Sequence, residues 1–437
     1  MGKNSRRRHV DKQRRAAERR HRDRSAQRTT VDPVDADEAS NDHPRSERAE
    51  PTDFVSNASR QLEQMLGLVL RDRLWASGWQ PDELVRHVRR GSDAATTAVL
   101  SMAIVADTAH HDRVGDAVPD SWRRQTGRIG AQCAHEPDRG GWMQRWLDAG
   151  GSGVGLTTVR SLLDTLLKLP GLPTLIAPPG STADVDVDLV DVDVEASPSP
   201  KLVTIRGLLA KAESTEFPAE AEAFTAKAQA MMIQARLDEA TVRASSGRRS
   251  TARVSAIRIG IDEPYIASKQ SLLHVTATAN DVRCVFHQGL DLATLVGPVG
   301  QLAHVELLFT SLLIQVQAAL AADAADAPAG SHVRSRGYRS SFIVGFARRI
   351  GERLRAARNA SFVGATGDAL PVLAADDRAT AELFDRLVGR TTKIRSSARH
   401  DLLGARAGAS AADRAALRET GLGGTGTAAL GQLRDAG

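Results

Sequence analysis

The sequence predicts an α+β protein that is mostly helical. We expect a helical N-terminal domain, then a C-terminal domain in which a helical hairpin and a small antiparallel sheet pack against long helices. Two observations favour this class. Apolar residues recur at helical spacing through 54–170, 201–237 and 302–320, and strands are favoured only in a short stretch beyond residue 250. The alternation at 183–195 also mimics a strand, but almost every second residue there is Asp, a poor strand former. Because only 4% of the residues are aromatic, Leu, Val, Ile and Ala must build the cores.

The segment 54–170 is expected to be helical throughout. Its first apolar stripe consists of Leu62, Met65, Leu66, Val69 and Leu70. A second helix should begin at Pro81, because proline suits the first helical turn and the two acids that follow favour the positive end of the helix dipole. Further helices are predicted over 96–111 and 161–169, the last ending before a Pro-Gly-Leu-Pro sequence.

Beyond residue 250 the apolar pattern changes its period. Alternation and β-branched residues predict strands over 251–259, 272–279 and 281–287. A long helix follows, whose apolar stripe is Leu302, Val305, Phe309, Leu312, Val316 and Leu320. Because Glu306 and two glutamines limit its apolar window, we interpret it as a buried core helix and expect no membrane partner. Helices are also predicted over 342–357 and 380–389.

Composition changes along the chain predict where its parts begin and end. The expected parts are a disordered arm at 1–53, basic and then acidic, a helical domain at 54–170, an acidic and Pro-rich linker at 171–200, a helical hairpin at 201–242, an α+β domain at 243–400, and an Ala/Gly-rich tail at 401–437. We expect the tail to hold a loosely packed helix with frayed ends.

The first thirty residues form a strongly basic arm. They hold twelve Lys or Arg against three acids, and almost nothing apolar to bury. The arginines that we predict to contact nucleic acid are Arg6, Arg7, Arg8, Arg14, Arg15, Arg19 and Arg20. The next segment, 31–53, holds eight acids against two arginines and can fold back on the arm, which would weaken such binding.

A second basic cluster occupies 334–358, where eight arginines face a single acid. On a helical wheel, four large apolar residues cluster on one side, and Arg348 and Arg355 point the opposite way. Arginine pairs with phosphate through two parallel hydrogen bonds and stacks on bases. The predicted nucleic-acid contacts in this cluster are Arg336, Tyr338, Arg339, Arg348 and Arg355. The alternative interpretation is an exposed helix whose arginines pair with acidic neighbours.

Familiar catalytic and ligand-binding motifs are missing from the chain or incomplete. Residues 150–157 resemble a phosphate-binding loop but carry Leu156 where that loop needs lysine. Residues 184–195 place acids at calcium-loop positions but carry Leu189 where the sharp turn needs glycine. Residues 421–426 match a dinucleotide fingerprint only as a string, without strand and helix around it. We therefore expect no bound cofactor and no catalytic residue.

One metal site remains open as an alternative. Cys284 and His287 could supply two ligands, and a closed zinc site needs two more. The nearby candidates are His274, His304 and Glu306. Because a buried cysteine in a strand more often simply packs, the simpler interpretation is a structural role.

Residues 201–237 read as two amphipathic helices joined at a proline-marked turn. One apolar stripe is Leu202, Ile205 and Leu209, and the other is Phe224, Ala228, Met231 and Ala235. Such short helices are unstable alone and must dock on the rest of the fold. Lys201, Arg206 and Lys211 lie on different faces of the first helix, so they favour a solvated surface over a basic groove.

This hairpin resembles the bacterial and phage family called domain of unknown function 2786. The residues that carry the resemblance are Lys201, Ile205, Arg206, Leu208, Leu209, Lys211, Ala212, Ser214, Thr215, Glu216, Pro218, Glu220, Ala221, Lys227, Ala228, Gln229, Met231 and Met232. Met231 stands where the family pattern has leucine. The region that follows, ending in SFIVGFARRIGERL, is similar to the portion that accompanies the hairpin in actinobacterial proteins. The resemblance implies no activity, cofactor or catalytic residue.

These observations predict a non-enzymatic protein that associates with nucleic acid in the cytoplasm. The basic arm would supply phosphate contacts and the arginine-rich helix would orient them. A cytoplasmic location follows from having only two cysteines and no apolar segment after the basic N-terminus. The alternatives are a metal-dependent hydrolase acting on nucleic acid and a helical scaffold that binds a protein partner.

Overall fold

The computed structural model describes residues 51–133, 141–150, 152–181, 200–215, 218–245, 253–328, 330–362, 369–389, 391 and 401–414. Over these residues it contains thirteen α-helices and one three-stranded antiparallel sheet, which confirms the predicted mostly helical α+β class. The described residues all belong to one compact unit. The predicted disordered arm falls almost wholly outside the described residues.

Six helices form the N-terminal part of the described fold. They are α1 Pro51–Leu68, α2 Pro81–Gly91, α3 Ala94–Val114, α4 Asp120–Gly130, α5 Trp142–Gly150 and α6 Ser152–Leu166. Four tryptophans that are at most 2% exposed sit in their shared core, namely Trp75, Trp79, Trp122 and Trp142. Met65 of the predicted first stripe is half exposed, whereas Leu66, Leu70 and Leu74 are fully buried.

Local signals place the starts of these helices. As predicted, Pro81 opens α2, and the side chains of Gln80 and Glu83 cap its first turn reciprocally. Asp93 caps α3 by accepting a hydrogen bond from the Thr96 amide at 2.8 Å. The chain at the end of α1 continues as a π-helical segment, Val69–Trp75.

The hairpin consists of α7 Pro200–Ser214 and α8 Pro218–Ser245. As predicted, it docks on the rest of the fold: Ile205, Leu209 and Ala228 belong to the central core. The second predicted stripe is confirmed at Ala228, but Met232 is the fully buried methionine, and the predicted Met231 is only partly buried. The 28-residue α8 is covered on two sides, which periodicity alone does not reveal. Its later residues Ile233, Leu237 and Ala240 pack against a different helix, α12 Ala369–Val388.

The sheet has the order β1-β3-β2, with strands β1 Val254–Gly260, β2 Arg283–His287 and β3 Leu292–Pro298. Both pairings are antiparallel, and Ile257 and Cys284 lie opposite Leu295 from either side. The prediction of a strand over 272–279 is wrong: these residues end helix α9 Ile266–Ala279. Its β-branched residues suggested a strand, but they lower helix propensity only slightly, and the buried positions repeat with a helical period. The central strand β3 was not predicted from the sequence.

Two long helices complete the core. They are α10 Val299–Ala325 and α11 Arg336–Phe362. Five of the six predicted stripe residues of α10 are buried, and Leu320 packs against the core from its edge. Among the described helices, α10 is the one that is long and apolar enough to cross a membrane. One of its faces lies in the central core beside α11.

The last described helix is α13 Leu402–Arg414. We expected a loosely packed helix here, and that expectation is wrong for these residues. A Cβ atom on Gly404 would lie 2.5 Å from the carbonyl oxygen of Tyr338, and one on Gly408 would overlap the carbonyl oxygen of Phe342. Small residues therefore bring the backbones of α11 and α13 into contact. The remainder of the predicted tail, 415–437, lies outside the described residues.

Charged groups join the N-terminal helices to the sheet. Arg258 of β1 is fully enclosed; it donates to the Glu83 carboxylate at 2.7 Å and to the carbonyl oxygen of Pro173 at 2.9 Å. The segment 171–181 of the predicted linker lies against the fold, where Leu172 and Leu175 are buried. The acidic part of the linker, 182–199, lies outside the described residues, and the predicted domain boundaries stay predictions.

Candidate nucleic-acid interface

Helix α11 presents its arginines around a buried apolar side. Phe342, Phe346, Ile350 and Leu354 are at most 1% exposed, as the helical wheel predicts. Arg348 and Arg355 project from the opposite, exposed face. They are two helical turns apart, which separates them by about 10.5 Å along the axis and about 20° around it. The two guanidinium groups therefore share one direction into solvent.

Two arginines of this helix form ion pairs inside the molecule. Arg358 and Arg236 of α8 both pair with the carboxylate of Asp281. Arg349 donates from Nε to Asp413 at 2.5 Å and from Nη1 to Glu352 at 3.1 Å. These bonds raise the pKa of the Arg349 guanidinium, so it carries its charge at every ordinary pH. For these residues the alternative interpretation, pairing with acidic neighbours, describes the structure.

Arg353 forms hydrogen bonds to the C-terminal end of the neighbouring helix, α13. Its Nη1 donates to the carbonyl oxygens of Ala412 and Asp413, the latter at 3.3 Å. The last carbonyl groups of a helix have no partner within that helix and carry partial negative charge. Arg353 therefore caps α13 and reduces the charge that α11 offers to solvent.

The outward-facing arginines are held far more loosely. The Arg348 side chain is 78% exposed, and its Nε lies 3.6 Å from the half-exposed Glu352. Among the residues that the structure describes, Arg355 donates to the carbonyl oxygen of Gly351 in its own helix, at 3.0 Å. Arg336, at the first turn, is exposed as well. Exposed pairs of this kind contribute little and exchange readily for other partners.

Two predicted contact residues are placed differently from what base recognition needs. Tyr338 is only 4% exposed, and its ring meets His332 edge-on, with 5.2 Å between the ring centroids. Burial and a hydrogen bond to Asp323 raise the pKa of Tyr338 to about 12. A ring enclosed in this way offers no face for stacking a base. Arg339 is half-buried, and its Nε has no hydrogen-bond partner among the residues that the structure describes.

The predicted contacts of the basic arm lie outside the described residues. They are Arg6, Arg7, Arg8, Arg14, Arg15, Arg19 and Arg20.

The candidate metal ligands do not assemble. Cys284 and His287 are three residues apart on β2, so their side chains leave opposite faces of the sheet. His287 instead bonds to the Thr294 hydroxyl at 2.7 Å, and burial is the main cause that lowers its pKa to about 4. Burial raises the pKa of the Cys284 thiol to about 12, which disfavours the thiolate that metals bind. Across the described ranges, no three His, Cys, Asp or Glu residues are close enough to hold a metal ion.

The other incomplete motifs lie between two helices or outside the described residues. Gly150 ends α5 and Ser152 begins α6, so the stretch resembling a phosphate loop joins two helices and follows no strand. The calcium-like segment 184–195 and the glycine-rich segment 421–426 lie outside the described residues.

The hairpin does not form a basic groove. Lys201 pairs with Asp238 of α8 at 2.8 Å, and the ammonium of Lys211 lies 5.7 Å from the centroid of the Phe224 ring. Gln229 is 2% exposed and lies 3.5 Å from the Asn280 side chain at the end of α9. Polar residues of the family pattern thus contribute to packing inside this fold.

A buried carboxylate that the sequence analysis missed lies among the N-terminal helices. Asp107 of α3 is 3% exposed and accepts from Arg71 Nη1 at 2.6 Å and from Trp75 Nε1 at 2.8 Å. Both donors come from the π-helical segment, where they lie four residues apart on the same side of the helix. A usable signal was present, because Asp107 falls on the same helical face as Leu100 and Ile104.

A cavity of about 290 Å³ opens beside this carboxylate. Its polar walls are Glu63, Arg71, Asp107, His110 and Arg113. The two arginines and the two carboxylates balance in charge. Burial and nearby arginine lower the pKa of His110, so its imidazole is neutral at pH 7. The cavity has no excess of positive charge with which to attract a polyanion.

Comparison with known proteins identifies only the hairpin. Neither the curated proteins nor the solved structures provide a match to the chain. A family model described as protein of unknown function (DUF2786) matches residues 201–239, which span α7 and most of α8. The chain therefore carries a DUF2786 domain at residues 201–239.

Proposed function

We propose that this DUF2786 protein is a non-enzymatic, cytoplasmic protein that binds the phosphate backbone of nucleic acid. The observation that carries the proposal is the outward pair Arg348 and Arg355, which share one exposed face of α11 and whose contacts with the described residues are weak. The basic arm would add the larger share of the charge. We also propose the actinobacterial type of the family, which is supported by resemblance in the region ending at residue 354.

Binding of this kind draws its free energy from counterion release. Each phosphate neutralised by a basic side chain frees condensed cations, so affinity falls as salt concentration rises. The buried Tyr338 leaves arginine as the group that can touch the polymer from α11. Recognition would therefore be independent of sequence, with the guanidinium groups reading charge and spacing.

Fluorescence anisotropy with labelled DNA and RNA duplexes over a salt series tests the role of α11. Arg348→Gln/Arg355→Gln should weaken binding and flatten the plot of log K against log salt by about 1.8 for two lost contacts. The matched control is Arg60→Gln/Arg378→Gln, which removes two exposed arginines from other helices. Equal effects of the two double variants would show that α11 has no special role.

A second variant tests the arm. Replacing Arg6, Arg7, Arg8, Arg14, Arg15, Arg19 and Arg20 by glutamine in the full chain should weaken binding to every sequence alike. If the unaltered protein fails to shift any polynucleotide in low-salt buffer, the proposed function is wrong. Co-purification of a protein partner that survives nuclease treatment would instead support the scaffold alternative.

A further inference from the structure

The C-terminal end of α13 occupies half of a potential arginine surface on α11. Four arginines fall within two turns of α11, namely Arg348, Arg349, Arg353 and Arg355. Two of them face solvent, and the other two bind the end of α13. With α13 absent, all four would lie along a continuous arc of the helix, interrupted only by Glu352.

The groups that α13 offers to these arginines are all oxygen acceptors. Asp413 contributes a carboxylate 2.5 Å from Arg349 Nε. The backbone carbonyls of Ala412 and Asp413 receive Nη1 of Arg353 at the negative end of the helix dipole. One charged oxygen and two partly charged oxygens therefore lie close together. A phosphate group offers arginine a similar cluster of negatively charged acceptor oxygens.

Little apolar surface holds α13 in this position. Its buried apolar side chains are Ala411 and Ala412, whereas its two leucines, Leu402 and Leu403, are 72% and 59% exposed. Its other contacts include the close backbone approaches at Gly345, Gly404 and Gly408, the partly buried Ala407, and the hydrogen bond that the Asp401 amide donates to the Ser341 hydroxyl at 2.8 Å. Alanine buries little area, so exchange of α13 for a polyanion costs less than the exchange of a helix with large buried side chains.

We infer that Arg349 and Arg353 belong to the nucleic-acid surface of α11, and that the end of α13 covers them as an internal phosphate mimic. This inference rests on the proposed function and adds a regulation to it. A polyanion that displaces α13 gains two arginines, and the covered state limits binding to Arg348 and Arg355. The exposed leucines of α13 would then travel with the released helix.

The test weakens the mimic in the full-length protein. Asp413→Asn removes the carboxylate charge, and its control, Asp377→Asn, makes the same charge change on the exposed face of α12. Gly408→Ala pushes α13 off Phe342, and its control, Gly207→Ala, adds a methyl group where nothing lies within 4 Å. Duplex affinity is measured across salt concentrations, with hydrogen exchange of the α13 amides as the readout of release.

Both test variants should bind the duplex more tightly than their controls. Gly408→Ala should steepen the salt slope by about 1.8, the value for two added phosphate contacts, and Asp413→Asn, which releases Arg349 alone, should steepen it by about 0.9. Duplex should also speed amide exchange in α13 of the unaltered protein. Suppose that the unaltered protein binds duplex and that amide exchange in α13 is faster in Gly408→Ala. If the affinity and the salt slope of Gly408→Ala then equal those of Gly207→Ala, the inference is wrong and the proposed function stands. If neither the unaltered protein nor Asp413→Asn binds at low salt, the proposed function itself fails.

Discussion

Arg258 and Glu83 form an enclosed ion pair that joins the sheet to the N-terminal helices. Arg258 Nε lies 2.7 Å from Glu83 Oε1; the arginine side chain is fully buried and the glutamate side chain is 11% exposed. The carbonyl oxygens of Pro173 and Gly78 accept one hydrogen bond each from Nη1 and Nη2. Each of the three guanidinium nitrogens therefore donates to an acceptor, which helps the fold to tolerate such a buried pair.

Removing one partner of this pair should destabilise the protein strongly. Glu83→Gln leaves the Arg258 charge buried without compensation, so we expect the free energy of unfolding to fall by about 3–5 kcal/mol. Urea denaturation measures this loss. Asp262→Asn is the control, since its carboxylate pairs with Arg86 but is 77% exposed, and it should cost at most about 1 kcal/mol. Similar losses in the two variants would mean that water reaches the Arg258 pair.

The position of the buried stripe on α8 can be checked with two adjacent methionines. Met232→Ala should lower the free energy of unfolding by about 2–5 kcal/mol, because Met232 is fully buried in the central core. Met231→Ala is the matched control, and it should cost clearly less because its side chain lies at the edge of that core. Chemical denaturation of both variants measures the two losses in the free energy of unfolding. A larger loss for Met231→Ala than for Met232→Ala would mean that Met231 is the methionine buried in the core.

Buried His304 should make the stability depend on pH. Burial lowers the pKa of His304 from 6.5 to about 4. Between these two pH values the unfolded chain therefore binds a proton at His304 and the folded protein does not. The stability contribution is present above pH 6.5 and is lost as the pH falls towards 4. Its share of the loss between pH 7 and pH 5 is about 2 kcal/mol.

Urea denaturation of His304→Gln at pH 7 and pH 5 measures that share. The variant should lose less stability on acidification than the unaltered protein, whatever its stability at pH 7. His274→Gln, on the exposed face of α9, removes an imidazole without opening a buried site and serves as the control. An unchanged pH dependence in His304→Gln would contradict the burial of this imidazole.

The carboxylate of Asp107 should stabilise the N-terminal helices. Asp107→Asn weakens the bonds from Arg71 and Trp75 and leaves a buried donor poorly matched, which should cost about 1–3 kcal/mol. Thermal unfolding followed by tryptophan fluorescence reports on this region directly. Asp164→Asn on the exposed side of α6 is the control, and a Tm equal to that of the control would show that Asp107 is dispensable.

Features that arise within a single helix could be read from the sequence. The buried side of α11, the outward direction of Arg348 and Arg355, the stripe of α10 and the start of α2 at Pro81 are all confirmed. The family resemblance of the hairpin is confirmed over residues 201–239. Each of these features depends on helix geometry or on local residue order, and none of them requires knowledge of a neighbour that is distant in the sequence.

Contacts between distant segments were decided only by the tertiary structure. Asp413 lies 64 residues from the arginine that it binds, and Arg258 lies 175 residues from Glu83. Residues 272–279 became a helix because the fold buries one helical face there, although their composition also suits a strand. An arginine's charge can be read from the sequence. Its partner depends on which elements pack together, and that packing is determined by contacts along the whole chain.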